Sequence, residues 1–214
     1  MLRGHDGQPI AADDADRLSL LAALREAALA ERVSVHAYAL LDSELHALAT
    51  PPEAAALSRW LQGFGRRYVA AFNRRHARQG TLWAGRFHAS VVDPAWLLDA
   101  IVHVERLPVQ AQLVDTAGAW AWSSAAAHVG QRRDALLSDH PAYWQLGNTP
   151  FERELAHAHR LTEGVSPDLA ARFDEAVRRG RAVGNPAFVA ALSDQLGRSI
   201  VSRSRGRPRR IVSE

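Results

Sequence analysis

Residues 33–50 read VSVHAYALLDSELHALAT, and this stretch decides the fold class. Apolar residues alternate with more polar ones from Val33 to Leu41, which is the period of a half-buried strand. Asp42-Ser43 predicts a turn, and the run from Leu45 to Thr50 predicts a second strand that pairs with the first. Pro51-Pro52 ends the second strand. The stretch therefore predicts a β-hairpin.

A helix is predicted on each side of this hairpin. An acidic first turn after Asp13 precedes an apolar stripe at helical spacing, which predicts a helix over about 14–31. Residues 54–76 predict a longer helix with one aromatic face. Three large residues of that face are expected in the core rather than stacked on nucleic-acid bases: Trp60, Phe64 and Phe72. Helices around a hairpin indicate an α+β protein.

The second half of the chain reads mostly as helix. A loop at 80–86 leads into a predicted strand that ends at Val92, and Asp93-Pro94 starts a helix that we expect Pro108 to end. Further helical segments follow, one beginning near Trp122-Ser123-Ser124 and three at 151–163, 167–180 and 186–196. These boundaries predict a domain at 1–130, a helical extension at 131–200 and a basic tail at 201–214.

Composition excludes several classes of protein. With 214 residues and 47% apolar residues, the chain can bury a core, so we exclude a wholly disordered protein. The absence of cysteine excludes disulfide frameworks, iron–sulfur clusters and cysteine nucleophiles. The most apolar stretch, Leu18 to Ala30, is too short for a membrane span, and the first ten residues lack the layout of a signal peptide. We expect a cytoplasmic protein without a membrane partner.

Basic residues are concentrated in two zones. All 26 are arginine; residues 54–92 hold seven with no acidic residue, and residues 198–214 hold six with one acidic residue. A high-GC genome explains the missing lysine but not the acid-free zone, which favours a polyanionic partner over a merely solvated helix face.

Separated blocks of residues, in a fixed order, resemble the REP-associated tyrosine transposases, a branch of the single-tyrosine HUH transposases. The resemblance covers about residues 3–130. The blocks are Arg3-Gly4 with Gly7 to Ile10, Asp13 to Arg17, His36-Ala37-Tyr38, Arg66-Arg67-Tyr68, Phe72 to His76, Gly80 to Phe87, Pro108-Val109 with Leu113-Val114, and Trp122-Ser123-Ser124. The segments Phe188 to Arg198 and Arg205 to Pro208 also resemble the end of such proteins.

The resemblance implies a ferredoxin-like antiparallel sheet with packed helices and a helical C-terminal extension. It also implies a nucleoid-associated protein that cuts and rejoins single-stranded DNA at hairpin repeats. In such proteins a tyrosine attacks the phosphate beside Mg²⁺ or Mn²⁺, and no organic cofactor takes part. Relatives of this kind carry an apolar strand before the first block, whereas only Met1-Leu2 precede it here. We therefore expect the first strand of the sheet to be missing, the alternative being that the true start lies upstream.

Three site positions depart from the pattern that the resemblance implies. Glu44 stands where the first metal-binding histidine belongs, His103 where the tyrosine nucleophile belongs, and Leu107 where an asparagine belongs. His46 keeps the second metal-binding histidine. Glu44 and His46 could still hold Mg²⁺ or Mn²⁺, but imidazole is a different nucleophile from phenolate. The alternatives are that Glu44 and His46 are only the polar face of a hairpin and that His103 is an inert helix-surface histidine.

The leading hypothesis is a DNA-binding protein of the transposase type whose strand transfer is lost or severely weakened. Single-stranded or hairpin DNA would be bound by Arg66, Arg67, Arg74, Arg75 and Arg86, and by Arg205 and Arg207 in the tail. A metal-dependent single-strand nuclease that uses Glu44 and His46 without a tyrosine is one alternative. The product of a decaying transposase gene is another. Whether the chain is an enzyme, and its oligomeric state, stay open.

Overall fold

The computed structural model describes residues 1–197 and contains a three-stranded antiparallel sheet with the strand order β1-β3-β2. The strands are β1 (Leu2–Arg3), β2 (Ser34–Leu40) and β3 (Glu44–Thr50). In the hairpin, Leu40 lies opposite Leu45 and Ser34 lies opposite Thr50. The predicted hairpin and the α+β class are confirmed.

Eight α-helices lie within the described residues. They are α1 (Asp14–Glu31), α2 (Ala54–Arg75), α3 (Leu97–Gln110), α4 (Ala125–His128), α5 (Pro141–Trp144), α6 (Pro150–Glu163), α7 (Pro167–Arg179) and α8 (Pro186–Leu196). The helices predicted at 14–31, 54–76, 151–163, 167–180 and 186–196 are confirmed to within one residue. The helix predicted after Trp122 is a single turn, α4.

The core forms where α1 and α2 pack on each other and on the sheet. Trp60, Phe64 and Phe72 are buried, as predicted, and the Trp60 indole donates a hydrogen bond to the Leu24 carbonyl. Every residue of β2 from Val35 to Leu40 is buried. Because α1 and α3 both contact β2, helices cover the two faces of this strand.

The expectation that the first strand is missing is wrong, because a short β1 pairs with β3. Leu2 lies opposite Leu45, and Arg3 lies opposite Glu44. The following residues continue the attachment, since the Gly4 N–H donates to the Ser43 carbonyl at 2.8 Å.

The prediction of a strand that ends at Val92 is also wrong. Residues 86–92 divide their backbone hydrogen bonds between two distant partners and follow no single neighbouring strand. The His88 N–H donates to the Met1 carbonyl, whereas the Val91 carbonyl accepts from the Val183 N–H, each at 2.8–2.9 Å. The segment therefore crosses from β1 to the C-terminal part of the chain as irregular structure.

Helix α3 continues past Pro108 to Gln110, contrary to the expectation that Pro108 ends it. Proline lacks the N–H that would bond to residue 104, but the helix ends only two residues later, so little of its hydrogen-bond ladder is affected. The terminal turn is closed by the Leu113 N–H, which donates to the Pro108 carbonyl.

The C-terminal helices return to the core through α3. Helix α6 contacts α3 and α4, and α7 contacts α3. Asp93, which precedes α3, accepts hydrogen bonds from the backbone and side chain of Asn185 at the start of α8. The predicted tail at 201–214, with Arg205 and Arg207, lies outside the described residues. Within residues 1–197, no helix has the length and apolar character needed to cross a membrane.

Candidate functional site

Strand β3 presents Glu44 and His46 on one face, because alternate residues of a strand point the same way. The His46 Nε2–H donates to Glu44 Oε2 at 2.9 Å, and the Arg3 guanidinium lies 3.3 Å from the other carboxylate oxygen. The hydrogen bond from His46 lowers the pKa of Glu44, while burial lowers the pKa of His46. Lowering these two pKa values favours an ionised carboxylate beside a neutral imidazole.

Helix α3 places His103 beside α7. The side chain is buried, and its Nε2–H donates to Asp174 Oδ1 at 3.1 Å. The Phe173 ring lies 5.2 Å away between centroids. The hydrogen bond from His103 lowers the pKa of Asp174. The other ring nitrogen, Nδ1, is buried and has no hydrogen-bond partner among the described residues.

The two imidazoles line one cavity of about 150 Å³, which Asp174 and His88 also line. Residues 46 and 103 come from different elements, so the fold brings together the two positions that the resemblance to transposases implied. The cavity can hold a few water molecules or one small anion but is smaller than ordinary ligand pockets of 300 Å³ or more. Glu44 and His46 have no third histidine or carboxylate near enough to complete a three-ligand group within residues 1–197.

Leu107, one turn beyond His103, is buried and does not line this cavity. All three tyrosines of the chain are buried and donate hydrogen bonds elsewhere. Tyr38 donates to Asp134, Tyr68 to the Ile10 carbonyl and Tyr143 to the His128 carbonyl, at 2.5–2.7 Å. Burial raises the pKa of Tyr143 to about 12. These tyrosines are core residues that do not line the cavity.

Residues 54–92 contain no acidic residue, but in the folded chain acidic side chains from other segments contact their arginines. Arg67 pairs with Glu26 at 2.8 Å, and Arg75 contacts both Asp13 and Asp16 at 2.5–2.7 Å. Three of the arginines proposed for DNA binding remain exposed with no ion pair or hydrogen bond in the described part of the chain: Arg66, Arg74 and Arg86.

A second group of ionisable side chains, not predicted from the sequence, is fully buried on the far side of α3. Glu105, His128 and His157 bring one ligand atom each to within 4.8 Å of the others, close enough to hold a metal ion. Glu105 accepts from His128 Nδ1 at 2.6 Å and from His157 Nε2 at 2.7 Å. The Ser124 hydroxyl also contacts Glu105.

Electrostatics favour the ionised forms of Glu105 and His128 despite their burial. Burial alone would raise the pKa of Glu105, but the charge of His128 and the hydrogen bonds from both histidines outweigh it and lower that pKa to about 2. Burial likewise acts to lower the pKa of His128, and the carboxylate of Glu105 outweighs it and raises that pKa.

Asp174 and the Glu105 group were missed because their partners are far apart in sequence. Asp174 lies 71 residues after His103, and His157 lies 52 residues after Glu105. One signal was present, since Glu105 interrupts the apolar pattern of α3, where a buried charge must find a partner.

We compared the chain with protein-family models, with curated proteins and with solved structures, and none of them matches it.

Proposed function

We propose that this chain is a DNA-binding protein related to the REP-associated tyrosine transposases, with strand transfer lost or severely weakened. The supporting observation is that His46 and His103 line one cavity although they come from a strand and a distant helix. The strand order β1-β3-β2 supports the proposal as well, because it is that of a ferredoxin-like sheet without its last strand. A cytoplasmic, nucleoid-associated location belongs to the same proposal.

The DNA-binding part of the proposal depends on the exposed arginines Arg66, Arg74 and Arg86. Phosphate contacts release counterions, so binding to hairpin or single-stranded DNA should weaken steeply as salt is raised. Replacing all three by alanine should reduce the log–log salt slope by roughly 2, at about 0.7 for each phosphate contact on single-stranded DNA. Fluorescence anisotropy with a labelled hairpin at several salt concentrations measures the slope.

Arg59→Ala is the control, since Arg59 lies on α2 with Arg66 and Arg74 but is held by Glu31 and Glu53. We expect it to change the salt slope little. Binding that does not respond to salt, or an equal effect of the control and the triple variant, would contradict the phosphate-contact proposal.

The catalytic part of the proposal follows from the residues of the cavity. Imidazole at position 103 cannot form the phosphotyrosine link, so the unmodified chain should bind labelled hairpin DNA without a covalent adduct in Mg²⁺ or Mn²⁺. Denaturing gels separate intact DNA, cleaved DNA and adduct. An adduct formed by the unmodified chain would contradict the proposal.

Restoring the residues that the resemblance implies tests the same site constructively. The triple variant Glu44→His, His103→Tyr and Leu107→Asn should form a metal-dependent adduct. The same triple with His103→Phe is the control, because it keeps the ring without the hydroxyl. Leu107 is buried, so the asparagine costs about 1–3 kcal/mol of stability, and unfolding curves must accompany the gels.

A metal-dependent or histidine-based nuclease is the second candidate. It is favoured by the two imidazole–carboxylate pairs at one cavity, His46 with Glu44 and His103 with Asp174, because a carboxylate-oriented imidazole can activate water as a general base. Cleavage without adduct, lost in His103→Asn, would support this candidate over the first.

A further inference from the structure

Three elements converge on the buried group behind α3. Glu105 comes from α3, His128 ends α4 and His157 lies in the middle of α6. At most 3% of each side chain is exposed. Two imidazoles and one carboxylate form a donor set that suits Zn²⁺ and related transition ions, whereas Mg²⁺ prefers oxygen ligands and retained water.

The distances within the group suit the exchange of protons for an ion. Bonds of about 2.0–2.2 Å to a tetrahedral Zn²⁺ place neighbouring ligand atoms about 3.4 Å apart. The hydrogen bonds of 2.6 and 2.7 Å must therefore open by roughly 0.7 Å to admit the ion. The outer side of His128 borders an open cavity that Asp139 also lines. Its Nε2 is buried without a hydrogen bond and lies 4.0 Å from Asp139 Oδ1.

Moving the His128 ring away from Glu105 carries its Nε2 toward Asp139, and this would create the imidazole–carboxylate hydrogen bond that ordinarily orients a metal-bound histidine. The Nδ1 of His157 is likewise buried with no partner in the described part of the chain, so no hydrogen bond on that side holds the ring in its present position. The hydroxyl of Ser124, in contact with Glu105, orients the carboxylate in turn.

An entry path is present beside His128. This residue lines an open cavity together with Asp139, Tyr143 and Glu154, whereas Glu105 and His157 lie behind it with no exposure. An ion would therefore enter from this cavity as the His128 ring moves. We propose that Glu105, His128 and His157 bind one transition-metal ion of the Zn²⁺ type, which joins α6 to α3 and α4. The site is distinct from the cavity of His46 and His103, and it does not depend on the proposed DNA function.

Zinc titration of the full chain, stripped with a chelator, tests the proposal. We expect one tightly bound Zn²⁺ per chain by competition with a chromogenic chelator, and no displacement by excess Mg²⁺. The Tm should rise by roughly 5–10 °C at free Zn²⁺ of about 100 times the Kd, because binding to the folded state alone stabilises it. X-ray absorption should show two imidazoles and oxygen around the metal, a measurement that needs no variant.

His157→Asn should abolish zinc binding, and the matched control His159→Asn, an exposed histidine on the same helix, should not. If His157→Asn does not fold, Glu105→Gln and the X-ray absorption spectrum of the unmodified chain decide the outcome. The proposal is overturned if the chain binds no zinc, if X-ray absorption shows other than two imidazoles, or if His46→Asn removes the zinc and His157→Asn does not.

Discussion

At the scale of single residues, buried charge is concentrated where the start of α1 meets the end of α2. Asp16 is 2% exposed and accepts hydrogen bonds from the Ala12 N–H, from Arg75 and from His76, at 2.5–2.9 Å. Burial acts to raise the pKa of Asp16, but these three donors outweigh it and lower that pKa. The ionised carboxylate therefore joins the two helices.

Asp16→Asn should lower the free energy of unfolding by about 2–3 kcal/mol at pH 7, because it removes the buried negative charge that accepts from the Ala12 N–H, Arg75 and His76, although Arg75 keeps its contact with Asp13. A lowered carboxyl pKa contributes stability that is present above the unfolded value near 3.9 and is lost as pH falls through the folded value. The difference between the unmodified chain and the variant should therefore shrink as pH falls below about 4. Urea unfolding at pH 7, 5 and 3 measures it.

The control for this prediction is Asp14→Asn, since Asp14 is exposed and, within residues 1–197, pairs with Arg17 alone. Its effect should stay below about 1 kcal/mol. A difference for Asp16→Asn that is constant across the three pH values would contradict the linkage.

At the scale of elements, the sequence predicted helices better than strands. Helices at 151–163 and 186–196 carry their own start signals, such as the capping box of Thr149 and Glu152 and the Asn185 side chain that accepts from the Phe188 N–H. The segment ending at Val92 has a strand-like composition, yet its structure depends on Met1 and Val183, partners that local patterns do not reveal.

Replacing glycine by alanine should change the free energy of unfolding in opposite directions at Gly63 and Gly184. An alanine Cβ at Gly63, inside α2, meets nothing closer than Ala27 at 3.9 Å, so Gly63→Ala should raise the free energy of unfolding by about 0.5–1 kcal/mol through lower chain entropy. At Gly184 a Cβ would lie 2.5 Å from Asp93 and 2.7 Å from Phe188. Gly184→Ala should therefore destabilise the chain by about 1–3 kcal/mol.

Urea unfolding of both variants at pH 7 tests this pair. The two alanine variants control for each other, because they add the same methyl group. A stabilised Gly184→Ala variant would show that the contact between Asp93 and the start of α8 is not tightly packed.

At the scale of the whole molecule, hydrogen bonds cross the boundary predicted at residue 130 between the domain and the helical extension. His103 bonds to Asp174, Glu105 to His157, and Asp93 to Asn185. The sequence could place His46 and His103 in one site only through a resemblance, since 57 residues separate them and no local pattern links strand β3 to α3. It could not identify Asp174, which carries no motif of its own.

A fragment of residues 1–130 should therefore not unfold cooperatively. It leaves the buried Glu105 without His157 and exposes the apolar surface that α6 and α7 cover on α3. Differential scanning calorimetry compares it with residues 1–197, which removes only the basic end and should keep a cooperative transition. A sharp two-state transition for 1–130 would contradict this prediction.

The partners of Glu105 also set an order of events during synthesis. His157 is translated 52 residues after Glu105, which takes roughly 3–10 s at 5–20 residues per second. Until then, docking α3 would bury the Glu105 carboxylate without its second imidazole. That burial is costly, so α3 stays hydrated and undocked while the nascent chain lengthens. The hairpin and its two flanking helices can assemble on the ribosome first, and the central helix of the molecule docks only when the C-terminal helices emerge.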